Sequence, residues 1–585
     1  LREPEGQGPF LERKARAAQG HRPAIGRSHI AALAAAVLVG ALIPGASPAA
    51  PPATAQTTPK KPPLNQPRKT GLIHTRQGAI LWRPWDRSAF DEARSAGRLV
   101  LLHITTSWSH SGHQMDLEAW NDTAVVRLVY QSYVPVRVDA DRRPDVADRY
   151  LAGGWPTTAV LDPGGQMLGA QAVIGRDALV QMLTQLRDLY AKNRIDVERR
   201  STESARRVAR TWENEAPVAP TMELDDWIDR NVSALRDAED REHGGIVGKP
   251  KTPQFETVRF LLAASANRKD TSLRALALRI LDASTRLEDS TWGGFYRMAG
   301  EEDWKRPRTE KLLDVNARAL GALVSAVDAG GGTRYREAAR RTEAYAATWL
   351  WSPRGGWYGS QDADVPRQDG TLLAGEVYYS LRDELRRKQG LPLIDSSLYA
   401  DANARMAAVI LRGAQTGIWK GAAVARAVKA MDRLWSEQRA KDGSLDHEWR
   451  NGTRAVPGRL VDQALAGQAY LEAYAATKEP RHLARAESLA VWIRNRLEDQ
   501  RGGGFRYAPR DRSAIGRLAA GEKPDAGNLE AAWFYLRFWE LKRRPEDRKS
   551  AQRALDFLRS GEVVSLDPAQ AELGLRLEQA ASASP

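Results

Sequence analysis

Apolar and polar positions follow two rhythms along this chain. Between Ile80 and Tyr190, short apolar runs alternate with amphipathic stretches. Ile80-Leu81-Trp82 reads as a short strand, and Ser88–Ser95 as a helix with Ala89, Phe90 and Ala93 at helical spacing. Arg98–Thr106 is a nearly continuous apolar run, the signature of a strand buried on both faces. A helix is expected from His110 to Trp120 and on through Thr123 to Tyr130, then a second buried strand Tyr133–Val138 and a short helix Pro144–Tyr150. Strands Thr157–Leu161 and Met167–Ile174 follow. Asp177–Tyr190 closes the unit as an amphipathic helix with Leu179, Met182, Leu183, Leu186 and Leu189 on one stripe.

From Val208 onward the rhythm is helical, broken by glycine turns on one theme: Gly244-Gly245-Ile246, Gly293-Gly294-Phe295-Tyr296, Gly355-Gly356-Trp357-Tyr358 and Gly502-Gly503-Gly504-Phe505. Leu287-Glu288-Asp289 and Leu497-Glu498-Asp499 carry the repeat into the preceding helix. Residues 219–577 divide into six units of about 60 residues, enough for two helices and their loops. Six such hairpins can close into an all-α (α/α)6 toroid or stack as an open α-hairpin solenoid, and periodicity does not choose between them.

Ahead of both regions, Arg22 and Arg27 precede an apolar run from Ile30 to Ile43, shorter than the roughly 20 residues that cross a bilayer. Ala53-Thr54-Ala55 supplies the small-x-small cleavage pattern, so 1–55 reads as leader and signal peptide, with Gln56 the first residue after cleavage. An uncleaved membrane anchor is the alternative. Export to the periplasm or the extracellular space, with no stable membrane span after cleavage, is expected. Residues 56–75 form a Pro/Thr/Lys-rich linker with nothing to bury. The remaining divisions are 76–197 for the α/β unit, 198–218 as a connecting helix, 219–577 for the helical unit and 578–585 as a disordered tail.

Composition changes the picture at one point. Among 585 residues there is no cysteine, which excludes disulfides, zinc–thiolate sites, iron–sulfur clusters and dithiol redox chemistry. The 87 Lys+Arg against 73 Asp+Glu leave a net charge of +14, spread along the chain without a nucleic-acid recognition motif, so no nucleic-acid partner is expected.

The order strand, helix, strand, helix, two antiparallel strands, helix is thioredoxin-like. Trp82-x-x-Trp85, Ala89-Phe90-x-x-Ala93, the turn Thr106 to Met115, Val138-Asp139-x-Asp141-x-Arg143-Pro144-Asp145-Val146 and Gly153-Gly154-Trp155-Pro156-Thr157 resemble the spermatogenesis-associated protein 20-like family. That family's turn reads Cys-His-x-Cys-His-x-Met; here it is Ser109-His110-Ser111-Gly112-His113-Gln114-Met115, with both cysteines gone. Ser109 reads as a helix N-cap, and the resemblance implies a cis peptide bond before Pro156, beside a peptide or ligand surface. His110 and His113 could share a metal with His103 or Asp139, but packing and hydrogen bonding is the simpler reading, and no cofactor is expected.

The resemblance continues through Lys249-Pro250-Lys251-x-Pro253, Arg306 to Ala317, Gly356 to Asp364, Asp462-Gln463-Ala464 and Gly527-Asn528. It implies a six-hairpin glycosidase-like toroid, related to N-acylglucosamine 2-epimerase folds. Two family groups are replaced, by Arg308 and Val315. Carboxylates at Glu310, Asp314, Asp362, Asp364 and Asp462 beside Trp292, Trp304, Trp357, Tyr358 and Asn528 would suit a sugar-like ligand at the toroid mouth. The first expectation is an exported binding or scaffold protein. The second is a carbohydrate-active hydrolase or, with only His243, His447 and His482 to move protons there, an epimerase.

Overall fold

The computed structural model describes residues 79–213, 219–367, 369, 371–560 and 566–582; the leader and linker lie outside these. Helix α1 (Arg87–Ala96), strand β1 (Leu99–Thr105), α2 (His110–Leu117), α3 (Thr123–Ser132), β2 (Tyr133–Asp139), α4 (Pro144–Tyr150), β3 (Thr157–Leu161) and β4 (Met167–Ala172) build the first domain. The sheet order is β2-β1-β3-β4, with β1 parallel to β2 and antiparallel to β3. Alternation along β1 splits the core in two. Leu99 and Leu101 pack with Trp82, Trp120, Val129 and Leu183 on one face; Val100, Leu102 and Ile104 pack with Trp85, Phe90, Val146 and Tyr150 on the other. The Trp155–Pro156 bond is cis.

The closing helix is longer than its apolar stripe. Helix α5 runs Arg176–Arg210 with a kink at Asn193, whose side-chain amide donates to Leu189 O at 3.0 Å. The expected boundary at 197 therefore falls inside one helix.

The second domain comprises α6 (Leu224–Asp237), α7 (Phe255–Arg268), α8 (Thr271–Ser284), α9 (Leu313–Asp328), α10 (Thr333–Tyr345), two short loop helices α11 (Gly375–Tyr379) and α12 (Asp383–Gln389), α13 (Ala400–Gln415), α14 (Ala422–Glu437), α15 (Leu460–Thr477), α16 (Pro480–Arg496), α17 (Asp525–Lys542), α18 (Pro545–Leu558) and α19 (Pro568–Ser582). Helices α7, α9, α13, α15, α17 and α19 pack in succession, and α19 packs back on α7. That contact closes the ring and excludes the open solenoid. Helices α8, α10, α14, α16 and α18 each cover the inner helix that precedes them, and α6 pairs with α19, so the two ends of the domain complete one hairpin. Small side chains let the inner helices approach closely: a Cβ on Gly467 would stand 2.4 Å from the Phe534 ring. Because α19 extends to Ser582, the tail expected from 578 is helical as far as that residue.

The glycine turns share one mechanism. In three of them the last glycine has φ of +74° (Gly294), +82° (Gly356) and +68° (Gly504), a conformation that costs glycine little. An asparagine oxygen from the following inner helix comes within 2.9–3.0 Å of where each Cβ would stand, joined at Gly294 by the Tyr345 ring and at Gly504 by the Phe557 ring. Asn316 Oδ1 accepts from Phe295 N at 2.8 Å, Asn403 from Trp357 N at 2.7 Å and Asn528 from Phe505 N at 2.6 Å, and each amide donates back to the same residue's carbonyl. Gln463 holds Leu445 in the same way. Lysines brace the same loops: Lys251 on Asp240, Lys311 on Asp289 and Lys523 on Asp499.

Candidate functional site

The β1–α2 turn faces the loops of the toroid. Ser109 is extended (φ −82°, ψ 111°), and its Oγ accepts from Gly112 N at 3.2 Å, which makes it the N-cap of α2. A Cβ on Gly112 would meet Thr105 Oγ1 at 2.5 Å, so this position is filled by its neighbour. Pro156 is buried, and Trp155 packs edge-on against Trp108, with ring centroids 5.7 Å apart.

Helix α2 aims both histidines at the loop after the third glycine turn. His110 Nδ1 lies 2.8 Å and His113 Nδ1 3.2 Å from Asp364 Oδ2, while His113 Nε2 stands 3.1 Å from Ser107 O and 3.6 Å from Asp362 Oδ2. Asp364 Oδ1 accepts from Gly375 N, and Asp362 Oδ1 from Asp364 N. Burial pushes the Asp362 carboxyl up to about 7. Burial also works against a low value for Asp364, but hydrogen bonds from the two imidazoles hold it well below the usual carboxylate range. The Asp364 hydrogen bond raises His110, and against burial the two carboxylates lift His113 to about 9.

The polar seam continues along the domain interface. Glu310 pairs with Arg297, whose guanidinium lies 5.2 Å above the Trp108 ring; Trp108 Nε1 donates to Asp141 Oδ2 at 2.6 Å. Burial and the neighbouring Asp139 push Asp141 up to about 8, and burial pushes Asp139 to about 6. Arg142 reaches Asp395 and Glu448 of the toroid at 3.4 and 3.5 Å. His447 Nε2 lies 2.8 Å from Asp141 O, and Nδ1 2.9 Å from Asp462 Oδ1. Burial would lower His447, but Asp462 and Asp401 outweigh it and hold the imidazole at about 9. Further along, Tyr507 donates to Asp148 at 3.0 Å, and Tyr150 accepts from Arg517 N at 2.9 Å.

The structure thus brings Glu310, Asp362, Asp364 and Asp462 to the seam, together with His447, which the sequence offers only as one of three histidines to move protons, and with Asp141 and Arg297, which it does not single out as site residues. Asp314 is elsewhere, on α9, paired with Arg318 at 2.6 Å and Arg405 at 2.9 Å; against burial the two guanidinium groups hold it at about 2. His103 cannot join a metal with His110. The period of β1 turns it into the core between Trp82 and Trp120, where burial lowers its pKa. Asp139 caps the backbone of Asp141 and Arg142 instead of meeting the histidines.

The expected aromatic wall does not form. Trp292 stacks on Trp349 and donates to Asp383; buried Trp304 donates to Gly244 O; Trp357 is fully buried; Tyr358 packs against the core; Asn528 is a loop pin. Trp292, Trp357 and Tyr358 sit in or next to the repeated turns, and Asn528 pins one of them, so their conspicuous pattern reflects folding.

One cavity, of about 570 Å³, lies within the ring of inner helices, and all six contribute to it. None of the candidate catalytic or ligand residues lines it. Its wall has Trp533, Gln415, Gln468 and Gln579 among paired charges: Glu256 with Arg318, Glu530 with Arg405 at 2.9 Å, Glu572 with Arg259 at 3.1 Å and Glu472 with Arg537 at 3.1 Å. A sequence signal existed. Arg405 and Arg412 on α13, or Glu572, Arg576 and Gln579 on α19, are polar stripes at helical spacing on otherwise buried helices.

Residues 64–209 match the family model Thioredox_DsbH, described as a protein of unknown function, DUF255. The chain is 27% identical over 342 residues to human spermatogenesis-associated protein 20, covering 53% of this chain and 43% of that protein. The mouse protein of the same name is 26% identical over 334 residues, covering 53% of this chain and 42% of that protein. The chain spans less than half the length of these relatives. Among solved structures, a sugar epimerase from a ruminal bacterium has a TM-score of 0.47 at 14% identity, covering 62% of this chain and 100% of that one. Cellobiose 2-epimerase from Bacillus thermoamylovorans has 0.46 at 12%, covering 57% and 87%. These are likenesses of fold, and the closed ring rests on the helix packing described above.

Proposed function

We propose that this chain, a cysteine-free thioredoxin-like domain joined to a six-hairpin toroid, is an exported binding protein without thiol redox activity. Its cavity takes a small, hydroxyl-rich ligand. The observation that carries this reading is the cavity of about 570 Å³ lined by all six inner helices. Trp533 offers an aromatic face to an apolar ring edge, and glutamine amides and ion-paired arginines offer donors and acceptors around it. Binding is favoured over hydrolysis because Glu256, Glu472, Glu530 and Glu572 are each neutralised by an arginine. Hydrolysis needs one carboxyl held protonated and another free to act as base or nucleophile. The thioredoxin-like domain serves as a fixed cap whose former reaction turn is spent on docking.

The test is a thermal-shift and calorimetric screen of neutral hexoses, hexuronates and small polyols. Saturable binding lost in Gln468→Ala and Trp533→Ala supports the reading. Turnover of a bound sugar would replace it with the carbohydrate-active enzyme, and reduction of insulin by the pure chain would overturn it. Amino-terminal sequencing of protein recovered after secretion is expected to begin at Gln56; a chain retained with residues 30–43 would show the anchored form instead.

A further inference from the structure

We propose that His110, His113, Asp362 and Asp364 form a divalent-metal site of the zinc class that clamps the thioredoxin-like domain to the toroid. The inference rests on the docked arrangement of the two domains, not on the ligand reading of the cavity, so either can fail without the other. Two donors come from each domain, about 250 residues apart in the chain. One ligand atom from each of His113, Asp362 and Asp364 lies within 4.8 Å of the others. The two Nδ1 atoms approach Asp364 Oδ2 at 2.8 and 3.2 Å, close to the edge of about 3.3 Å that a tetrahedral ion with bonds of roughly 2.0–2.1 Å would set.

Outer contacts orient three of the four ligands. Metal-bound imidazoles commonly give their second N–H to a backbone carbonyl, and ligating carboxylates are themselves hydrogen-bonded. His113 Nε2 is engaged by Ser107 O, Asp364 Oδ1 by Gly375 N and Asp362 Oδ1 by Asp364 N. His113 Nδ1 and Asp364 Oδ2 are left facing each other at 3.2 Å, and Asp362 Oδ2 comes up to the same imidazole on its Nε2 side at 3.6 Å. Asp362 is 4% exposed, and its Oδ2 accepts no hydrogen bond among the described residues, its nearest ionic partner being His113 Nε2 at 3.6 Å. Two imidazoles and two carboxylates together carry the charge that one divalent ion neutralises, and the imidazoles select a borderline ion such as zinc over magnesium or calcium. In the comparable cluster of Asp401, His447 and Asp462 a side-chain cation takes the central place: Arg459 Nη1 stands 2.8 Å from His447 Nδ1 and 3.4 Å from Asp462.

The experiment uses the full chain, free of any histidine tag, stripped with chelator and reloaded with Zn(II) or Co(II). About one equivalent per chain is expected, with the visible Co(II) absorption of a four-coordinate N/O site and slower proteolytic separation of the domains. Content should fall below about a tenth of an equivalent in His113→Asn and Asp364→Asn, affinity should drop about 10-fold or more in His110→Asn, and the surface control His243→Gln should leave both unchanged. His110 is partly exposed, so its variant reports even if the buried ones fail to fold. Less than about a tenth of an equivalent in the loaded parent, an undiminished equivalent in both buried variants, or unchanged affinity in His110→Asn would overturn the proposal.

Discussion

At the scale of single residues, two positions of the β1–α2 turn are held in different ways. Ser109 is a helix cap, which its position before α2 makes legible in sequence. Gly112 is a packing solution that no motif reveals, because its constraint comes from the Thr105 side chain at the end of β1. Gly112→Ala should therefore destabilise the chain by about 1–3 kcal/mol through overpacking, and Thr105→Ala in the same chain should recover most of that loss. Denaturant midpoints of the single and double variants measure this. Additive losses would show that Thr105 is not the constraint.

Among the elements, the repeated turn is the unit that folds and the inner helix is the unit that holds it. Asn528→Ala leaves the Phe505 N–H and C=O buried without partners, so it should cost about 1–3 kcal/mol with no change in ligand affinity. Retained stability with lost binding would restore the ligand role expected from sequence. Asp314 behaves differently. Its pKa is depressed to about 2 in the folded chain, below the ordinary value of 3.8 that the unfolded chain has. Its contribution is thus fully present above pH 4 and disappears as the pH falls toward 2. The difference in melting temperature between the parent and Asp314→Asn should be largest near pH 5 and shrink steadily below about pH 4.

For the whole molecule, closure depends on the last helix. Leu573, Leu575 and Leu577 of α19 are buried, and each buried leucine contributes about 1.5–3 kcal/mol. Together they match a large part of the 5–15 kcal/mol that typically separates a folded domain from its unfolded state, roughly 4.5–9 kcal/mol. Deleting the chain from Pro568 should therefore abolish cooperative unfolding of the helical domain and expose α7 and α6, read by calorimetry and dye binding. A sharp transition in the truncated chain would mean that the ring does not need its final hairpin.

Sequence by itself determined what depends on near neighbours: the β1 alternation that splits the first core, the apolar stripes of the helices, the glycines of the turns, and the exclusion of thiol chemistry by the lack of sulfur in cysteine form. It also carried the six-unit repeat, although periodicity is the same for an open stack and a closed ring. Only tertiary structure decided closure, since the α19–α7 contact joins the two ends of the domain. The same holds for the site. His110 and Asp364, or His447 and Asp141, acquire their roles from domain docking, and the paired charges of the cavity acquire theirs from six helices meeting at one axis. Local patterning follows from the backbone's own period, whereas convergence of distant side chains follows from packing, and no local pattern encodes it.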